Sequence, residues 1–360
     1  MKKLAYVLLV LILLLILLPI LYFNISDCGV APWSCGDYTP QKEWNTQRIA
    51  VEDGPEDMAI DISTGRERII VSCSPRRDRL KEGGFYTIDP TTNSASALEV
   101  IPRNLTIHPH GIDVVTIDST PFLYAISHDE IEGQMRHRIF RFKIDSNTLI
   151  LDEPFTLEHE LMTGPNDLDV LEDGSLYVSN PLPSNDPNES TKSILGIKNG
   201  NVLHYDGKGN WEVALDKMCY PNGVWVNQES GMLVVANGGC QEVARYAMTN
   251  GKVNQSDKLS TKSHNTKIPI GDNLMMDNQG VLWTTSHPCP LKFLEHIQDS
   301  ENPSPSQVFA MDPMTMKSNL VFKTNGELIS AASTALRINN RLYVSQVLDP
   351  FVLVVEGVQL

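Results

Sequence analysis

The stretch IHPHGIDVV holds His108 and His110, and His128 follows at FLYAISHDE. An imidazole titrates near neutral pH, so two held side by side suit proton transfer. If the two runs pair as an antiparallel hairpin, a residue near the start of the first meets one near the end of the second, which brings His110 to His128. A second set of residues offers oxygen: Glu56 and Asp57 in PEDMAID, Asn166 and Asp167 in GPNDLDV, Asn222 in PNGVWVN, and Asp272 with Asn273 in GDNLMMD. Carboxylate and amide oxygens without sulfur select a hard cation, and Ca²⁺ takes about six to eight of them. Glu56, Asn166, Asn222, Asp272 and Asn273 supply five such side chains, and their two formal charges balance the ion. One or two positions stay open for water or substrate. Neighbours on a strand alternate faces, so Asp57 and Asp167 are expected to point the other way and to suit a second, deeper, structural ion.

Residues so far apart in the chain need an architecture that gathers them. The runs in question recur in one form: a polar start, a short apolar strand, a turn and a second strand. In order they are EDMAIDISTGRERIIVSC from Glu56, HGIDVVTIDSTPFLYAISH from His110, NDLDVLEDGSLYVSN from Asn166, NGVWVNQESGMLVVAN from Asn222, DNLMMDNQGVLWTTSH from Asp272 and ASTALRINNRLYVSQ from Ala332. These six copies lie roughly 50 to 60 residues apart, which leaves room for two further strands in each. VLHYDGKGNWEVAL at Val202 and EVARYAM at Glu242 are examples. The expected fold is therefore all-β, a six-bladed β-propeller whose inner strands run along a central channel and bring their polar starts to one mouth. Two β-sandwiches would not predict a sixfold recurrence. Asp and Asn at a strand start are turn residues in any single copy, and Asn222-Gly223 is the weakest member for that reason. The same phase in at least four copies argues for a shared site.

The formal charge of -15 and a pI near 5.0 exclude a nucleic-acid partner, which would need a basic patch. Residues 1–23 read as a transmembrane anchor or uncleaved signal: Lys2 and Lys3 precede an apolar run of 20 residues from Leu4 to Phe23 that lacks a small-residue cleavage site. The basic flank places that end in the cytoplasm and the body outside it, in a lumen, the periplasm or the medium. Residues 24–45 read as a linker and 46–360 as the propeller. The six cysteines show no paired metal-binding spacing, and Cys28 with Cys35 suits a small loop beside the membrane. Asn24, Asn104, Asn188 and Asn254 stand in glycosylation sequons.

Taken together, PEDMAID, HPHGID, His128 before RIFRFKI, GPNDLDVLEDGSLYVSN, YPNGVWVN, GDNLMMDNQGVLW with SHP, and LISAASTAL with RLYVSQV resemble the paraoxonase family of calcium-dependent lactonases and arylesterases. The resemblance spans Val51 to about Glu356 and implies a six-bladed propeller. It implies that Glu56, Asn166, Asn222, Asp272 and Asn273 hold a catalytic calcium, while Asp57, Asp167 and the Ile112 carbonyl hold a structural one. It further implies His110 as general base with His128 as its partner, His287 lining the site, and Leu291 and Phe293 in the substrate pocket. The implied activity is opening of lactones, with aryl esters and phosphotriesters as side reactions, by metal polarisation of the carbonyl and attack of a His-activated water. No G-x-S-x-G elbow is present to supply a serine nucleophile. The family is usually stapled by a disulfide from its N-terminal region to the last strand. No cysteine follows Cys289, so ring closure is expected to rest on strand pairing alone. A gluconolactonase-like or strictosidine-synthase-like propeller shares the blade plan but is disfavoured by HPHG and His128. A non-catalytic, calcium-braced propeller that binds a protein partner is the rival from another class.

Overall fold

A computed structural model describes residues 8, 10–18, 35–40, 42–78, 80–182, 192 and 196–359. The alternating runs fold as six antiparallel sheets arranged as the blades of a propeller, with inner strands Pro55–Asp61, Pro109–Ile117, Leu168–Val170, Pro221–Asn227, Gly271–Met276 and Ala332–Ile338. Five blades have four strands. Blade 2 adds a fifth, Glu99–Ile101, that pairs in parallel with its outer strand. The ring closes because Thr46–Ala50, near the start of the chain, pairs antiparallel with Phe351–Glu356, so blade 6 is built from both ends.

The apolar faces are buried between blades. Six separate clusters form, one at each junction, such as Ile70, Phe85, Leu123 and Phe142 between blades 1 and 2. The second strand of each blade is largely buried on both faces, so its apolar side chains serve two neighbouring wedges.

At the mouth the inner strands depart from regular pairing. Register shifts fall between Pro55 and Asp57, Pro109 and Ile112, Pro221 and Val224, Gly271 and Leu274, and Ala332 and Ala335. A bulge of this kind adds a residue to one strand and re-aims its side chains. These shifts fall beside Glu56-Asp57 and Asp272-Asn273, and all four side chains are buried. Amides that lose a ladder partner are met by a serine hydroxyl from the second strand. Asp57 N–H donates to Ser72 Oγ (3.1 Å), His108 to Ser127 (3.0 Å), Asp167 to Ser179 (3.0 Å) and Thr334 to Ser345 (2.9 Å). These serines are the S of VSC, ISH, VSN and VSQ at the end of the repeats.

Glycine has a defined role beside two of the site residues. A Cβ at Gly111 would stand 2.5 Å from the Asn166 carbonyl oxygen, and one at Gly223 would stand 2.6 Å from that of Asp272. The glycines of HPHG and PNG thus let one inner strand press against the next. The Asn222-Gly223 pair is part of a strand rather than a turn.

Two disulfides revise the cysteine reading. Cys35 bonds Cys289 across 254 residues, and Cys219 bonds Cys240 within blade 4's approach. The small Cys28–Cys35 loop is not formed, because Cys35 is committed to Cys289; Cys28 itself lies outside the described residues. Ring closure accordingly does not rest on pairing alone: a covalent bond fastens the N-terminal segment to the loop after the second strand of blade 5.

That loop continues into the helix Pro290–Gln298, started by a proline at its first turn. Arg77 holds the helix end by donating to the His296 carbonyl (2.7 Å), and Asp349 accepts from Arg77 at 2.7 Å and lies 3.4 Å from His296. Of the apolar run Leu4–Phe23, residues 8 and 10–18 are helical and the rest lies outside the described residues. Among the described residues no helix is long and apolar enough to cross a membrane. Asn104 and Asn254 are exposed, whereas the sequons at Asn24 and Asn188 fall outside the described residues.

Candidate active site and metal centre

Glu56, near the start of its inner strand, is buried. Its Oε1 accepts from Ser333 Oγ at 2.9 Å and from Asn273 Nδ2 at 3.3 Å, and His110 Nε2 lies 3.3 Å away. Its Oε2 is buried without a hydrogen-bond partner, and so are Asn166 Oδ1, Asn222 Oδ1 and Asn273 Oδ1. Buried polar atoms are almost always paired, because leaving one unpaired costs about 1 to 3 kcal/mol. Three unpartnered amide oxygens, beside a Glu56 Oε2 that accepts no hydrogen bond and has Arg76 3.7 Å away, fit a cation. Among the described residues no three His, Cys, Asp or Glu side chains alone form such a group. Amide oxygens make up this donor set. The fifth residue, Asp272, accepts from His287 Nε2 at 2.7 Å, while His287 Nδ1 is buried and unpartnered.

Asp57 and Asp167 are buried as well. The N–H of Ile112 donates to Asp57 Oδ2 at 2.7 Å, and that of Val224 to Asp167 Oδ2 at 2.8 Å, so each carboxylate ties its own inner strand to that of the next blade. Thr334 Oγ1 also donates to Asp57, at 2.7 Å.

Crowding of these carboxylates has an electrostatic signature. Burial, then the neighbouring Glu56 charge, pushes the Asp57 carboxyl up to about 8 against the Ile112 and Thr334 hydrogen bonds. Burial and the Asp57 charge raise Asp167 well above the carboxylate range. Burial also raises Asp272, although its bond to His287 acts the other way. Glu56 goes down instead. Burial alone would raise it, but the His110 charge and hydrogen bond, with Arg76 and Ser333, hold it at about 2. A buried group of carboxylates that cannot all ionise unaided is stabilised in its charged form by a divalent cation.

The two expected histidines meet. His110 Nδ1 lies 2.9 Å from His128 Nε2, with ring centres 4.8 Å apart and edge to face. A third was not anticipated: His137 Nδ1 lies 2.7 Å from His128 Nδ1. The two residues are direct cross-strand partners in the hairpin Thr120–Ile131/Gln134–Asp145, which turns on Glu132 and Gly133, both at positive φ. Counting three places back from each side of that turn pairs His128 with His137, a signal present in the sequence. Behind the histidines Asp129 accepts from Ser127 Oγ and from Arg138, both at 2.7 Å, and lies 3.2 Å from His108 Nδ1. His108 is thus part of the support and not of the pair.

On the opposite side His287 is buried and stacks on Phe293, with ring centres 4.4 Å apart. Leu291 is 46% exposed on the same helix. Most of the loop Pro181–Ser193, expected to shape the pocket, lies outside the described residues.

The family model described as arylesterase matches residues 81–351. The chain belongs to the arylesterase family. Mouse serum paraoxonase/arylesterase 1 is 24% identical over 269 residues, which covers 71% of each chain. A gluconolactonase from Xanthomonas campestris superposes with a TM-score of 0.55 at 15% identity, over 92% of this chain and 99% of its own. A calcium-binding protein, regucalcin, from Agrobacterium tumefaciens does so with a TM-score of 0.52 at 12% identity, over 87% and 95%. The structural likenesses establish the propeller, and membership of the arylesterase family supports a lactone or ester hydrolase.

Proposed function

We propose that this arylesterase-family chain is a calcium-dependent lactonase that also accepts aryl esters. The observation that carries the reading is that Glu56 Oε2 and the Asn166, Asn222 and Asn273 oxygens, at the starts of the inner strands, are all buried without a hydrogen bond, while His110 of the His110–His128 pair lies 3.3 Å from Glu56. Glu56, Asn166, Asn222, Asp272 and Asn273 would hold one ion, and Asp57, Asp167 and the Ile112 carbonyl a second, structural one. When bound, calcium supplies positive charge that polarises an ester carbonyl and stabilises the oxyanion that develops there.

The protein's own groups do the rest. His110 Nε2 faces the mouth and takes the proton of the attacking water, while His128 orients the ring through its other nitrogen. Ser333 and Asn273 fix the Glu56 carboxylate, and His287 fixes Asp272. Phe293, through its stack on His287, supplies an apolar wall beside the mouth. The gluconolactonase and regucalcin likenesses agree with a lactone substrate and with calcium. The N-terminal apolar run is read as an anchor that holds the propeller outside the cytoplasm.

The test is hydrolysis of a panel of γ- and δ-lactones by the full chain, first with calcium and then with excess chelator. Turnover that stops on chelation and returns with calcium supports the reading. A folded, calcium-loaded protein that opens no lactone and no aryl ester overturns it in favour of a non-catalytic, calcium-braced propeller.

A further inference from the structure

His110, His128 and His137 form an unbroken line of rings, with contacts of 2.9 and 2.7 Å that use both nitrogens of His128. The line starts 3.3 Å from Glu56 and ends at a cleft of about 340 Å³, where His137, Thr163, Met162, Glu158 and Arg136 are among the lining residues. The Thr163 carbonyl stands beside the His137 ring and favours a hydrogen on the ring nitrogen that faces it. A carbonyl can only accept, so in the neutral ring the His137 nitrogen facing it carries the hydrogen, and Nδ1 is left to accept from His128. His128 Nε2 then accepts from His110 Nδ1–H. In this neutral form His110 Nε2 is left with its lone pair toward the mouth, whereas the protonated ring donates to Glu56. One carbonyl on the rim therefore sets the tautomer of the general base through three rings.

We propose that His137 is a positioning residue that works through His128, completing a proton shuttle between His110 and solvent in the cleft beside Thr163. The inference rests on the lactonase reading. In lactone opening the water oxygen bonds the carbonyl carbon, the ring C–O bond breaks and the ring oxygen becomes a hydroxyl. As water gives a proton to His110 Nε2, the Nδ1 hydrogen of His110 moves to His128, that of His128 moves to His137, and the outer hydrogen of His137 passes to water in the cleft. When His110 returns a proton to the departing ring oxygen, the line draws one back from the cleft. The tautomers reset without a ring rotating, and the product acid ionises to solvent, so protons balance over the cycle.

The charged groups facing this line are Glu56 at its inner end, Asp129 with its partners His108 and Arg138 behind it, and Glu158 with Arg136 at the cleft. His159, stacked on Trp211, and Glu132 and Glu160 border the outlet. Burial is the largest influence on His137 and lowers its proton affinity, which keeps the terminal ring neutral and able to exchange.

The experiment compares the wild type with His137→Gln and His137→Ala, calcium-loaded and matched by melting temperature, in a lactone assay across buffer concentrations and with added imidazole. The shuttle predicts that kcat in dilute buffer drops on the order of 10-fold, a fraction of the loss expected on removing a general base itself, with KM unchanged. It also predicts that imidazole or concentrated buffer restores kcat in the alanine variant. A variant as fast as wild type in dilute buffer, or a loss that no buffer restores, overturns the shuttle and leaves the lactonase reading intact. A wild type that opens no lactone overturns both. Ring NMR gives a readout apart from turnover: the tautomers of His110 and His128 should change in His137→Ala, and unaltered tautomers refute the coupling.

Discussion

Replacing Asn222 by leucine separates a metal ligand from a merely buried amide, because the two roles predict opposite signs. Asn222 is 5% exposed and its Oδ1 is buried without a partner. In the metal-free protein that oxygen costs about 1 to 3 kcal/mol, and leucine, of similar branched shape, removes the cost. Asn222→Leu should therefore stabilise the protein in chelator by about 1 to 2 kcal/mol. At a per-residue unfolding entropy of about 2.1 cal/mol/K, a propeller of this size gains roughly 1.5 °C for each kcal/mol, so the melting temperature should rise by about 2 °C. Calcium at 100 times its dissociation constant adds about 2.7 kcal/mol to the wild type, or about 4 °C. Loss of one of five protein ligands should remove most of that gain. The variant is thus expected to melt above the wild type in chelator and below it in calcium, as read by calorimetry or near-ultraviolet circular dichroism. A variant that melts below wild type in chelator and keeps the full calcium shift would refute the assignment of this oxygen.

Two other perturbations follow from charged groups outside the mouth. Asp277 accepts from Trp283 Nε1 at 2.9 Å and from Arg337 at 3.0 Å, with both charged side chains buried, so Asp277→Ala strands a guanidinium and should cost about 3 to 5 kcal/mol in urea denaturation. For Asp349, burial acts to raise the carboxyl, but bonds from His296 and Arg77 win and hold it below its usual 3.8. A depressed carboxylate contributes stability that is present above the unfolded value and is lost as pH falls through the folded one. The stability difference between the wild type and Asp349→Asn should therefore be constant above about pH 5 and shrink below about pH 4, followed by urea titration at each pH.

Much of the site was legible because it depends on residue type and phase alone. Glu56, Asn166, Asn222 and the Asp272-Asn273 pair open four of the six repeats, and a propeller maps equal phase onto one rim. His110 and His128 could be paired because a hairpin was expected between their runs. What escaped depends on register. Bulges interrupt the pairing beside Glu56-Asp57, Asn222-Gly223 and Asp272-Asn273, and no residue type at the bulge itself announces them. The Cys35–Cys289 bond escaped because a span of 254 residues carries no local signal.

His137 escaped for a different reason, since the Glu132-Gly133 turn fixes its pairing with His128 within a dozen residues. The repeated serine is a similar case. VSC, ISH, VSN and VSQ each place a hydroxyl where an apolar residue would strengthen a buried strand, and such a hydroxyl needs a partner that a regular ladder does not offer. Its partner is the amide freed by the bulge, so the serine at the end of one strand reports the irregularity at the start of the strand before it. In blade 1 that irregularity falls beside Glu56 and Asp57. Ser72, which donates 2.7 Å to the His110 carbonyl while accepting from Asp57 N–H, couples the acid end of the site in blade 1 to the base end in blade 2. The residues that do the chemistry are thus placed by hydroxyls that touch no substrate, and the sequence pattern of the second strand is as informative about the site as that of the first.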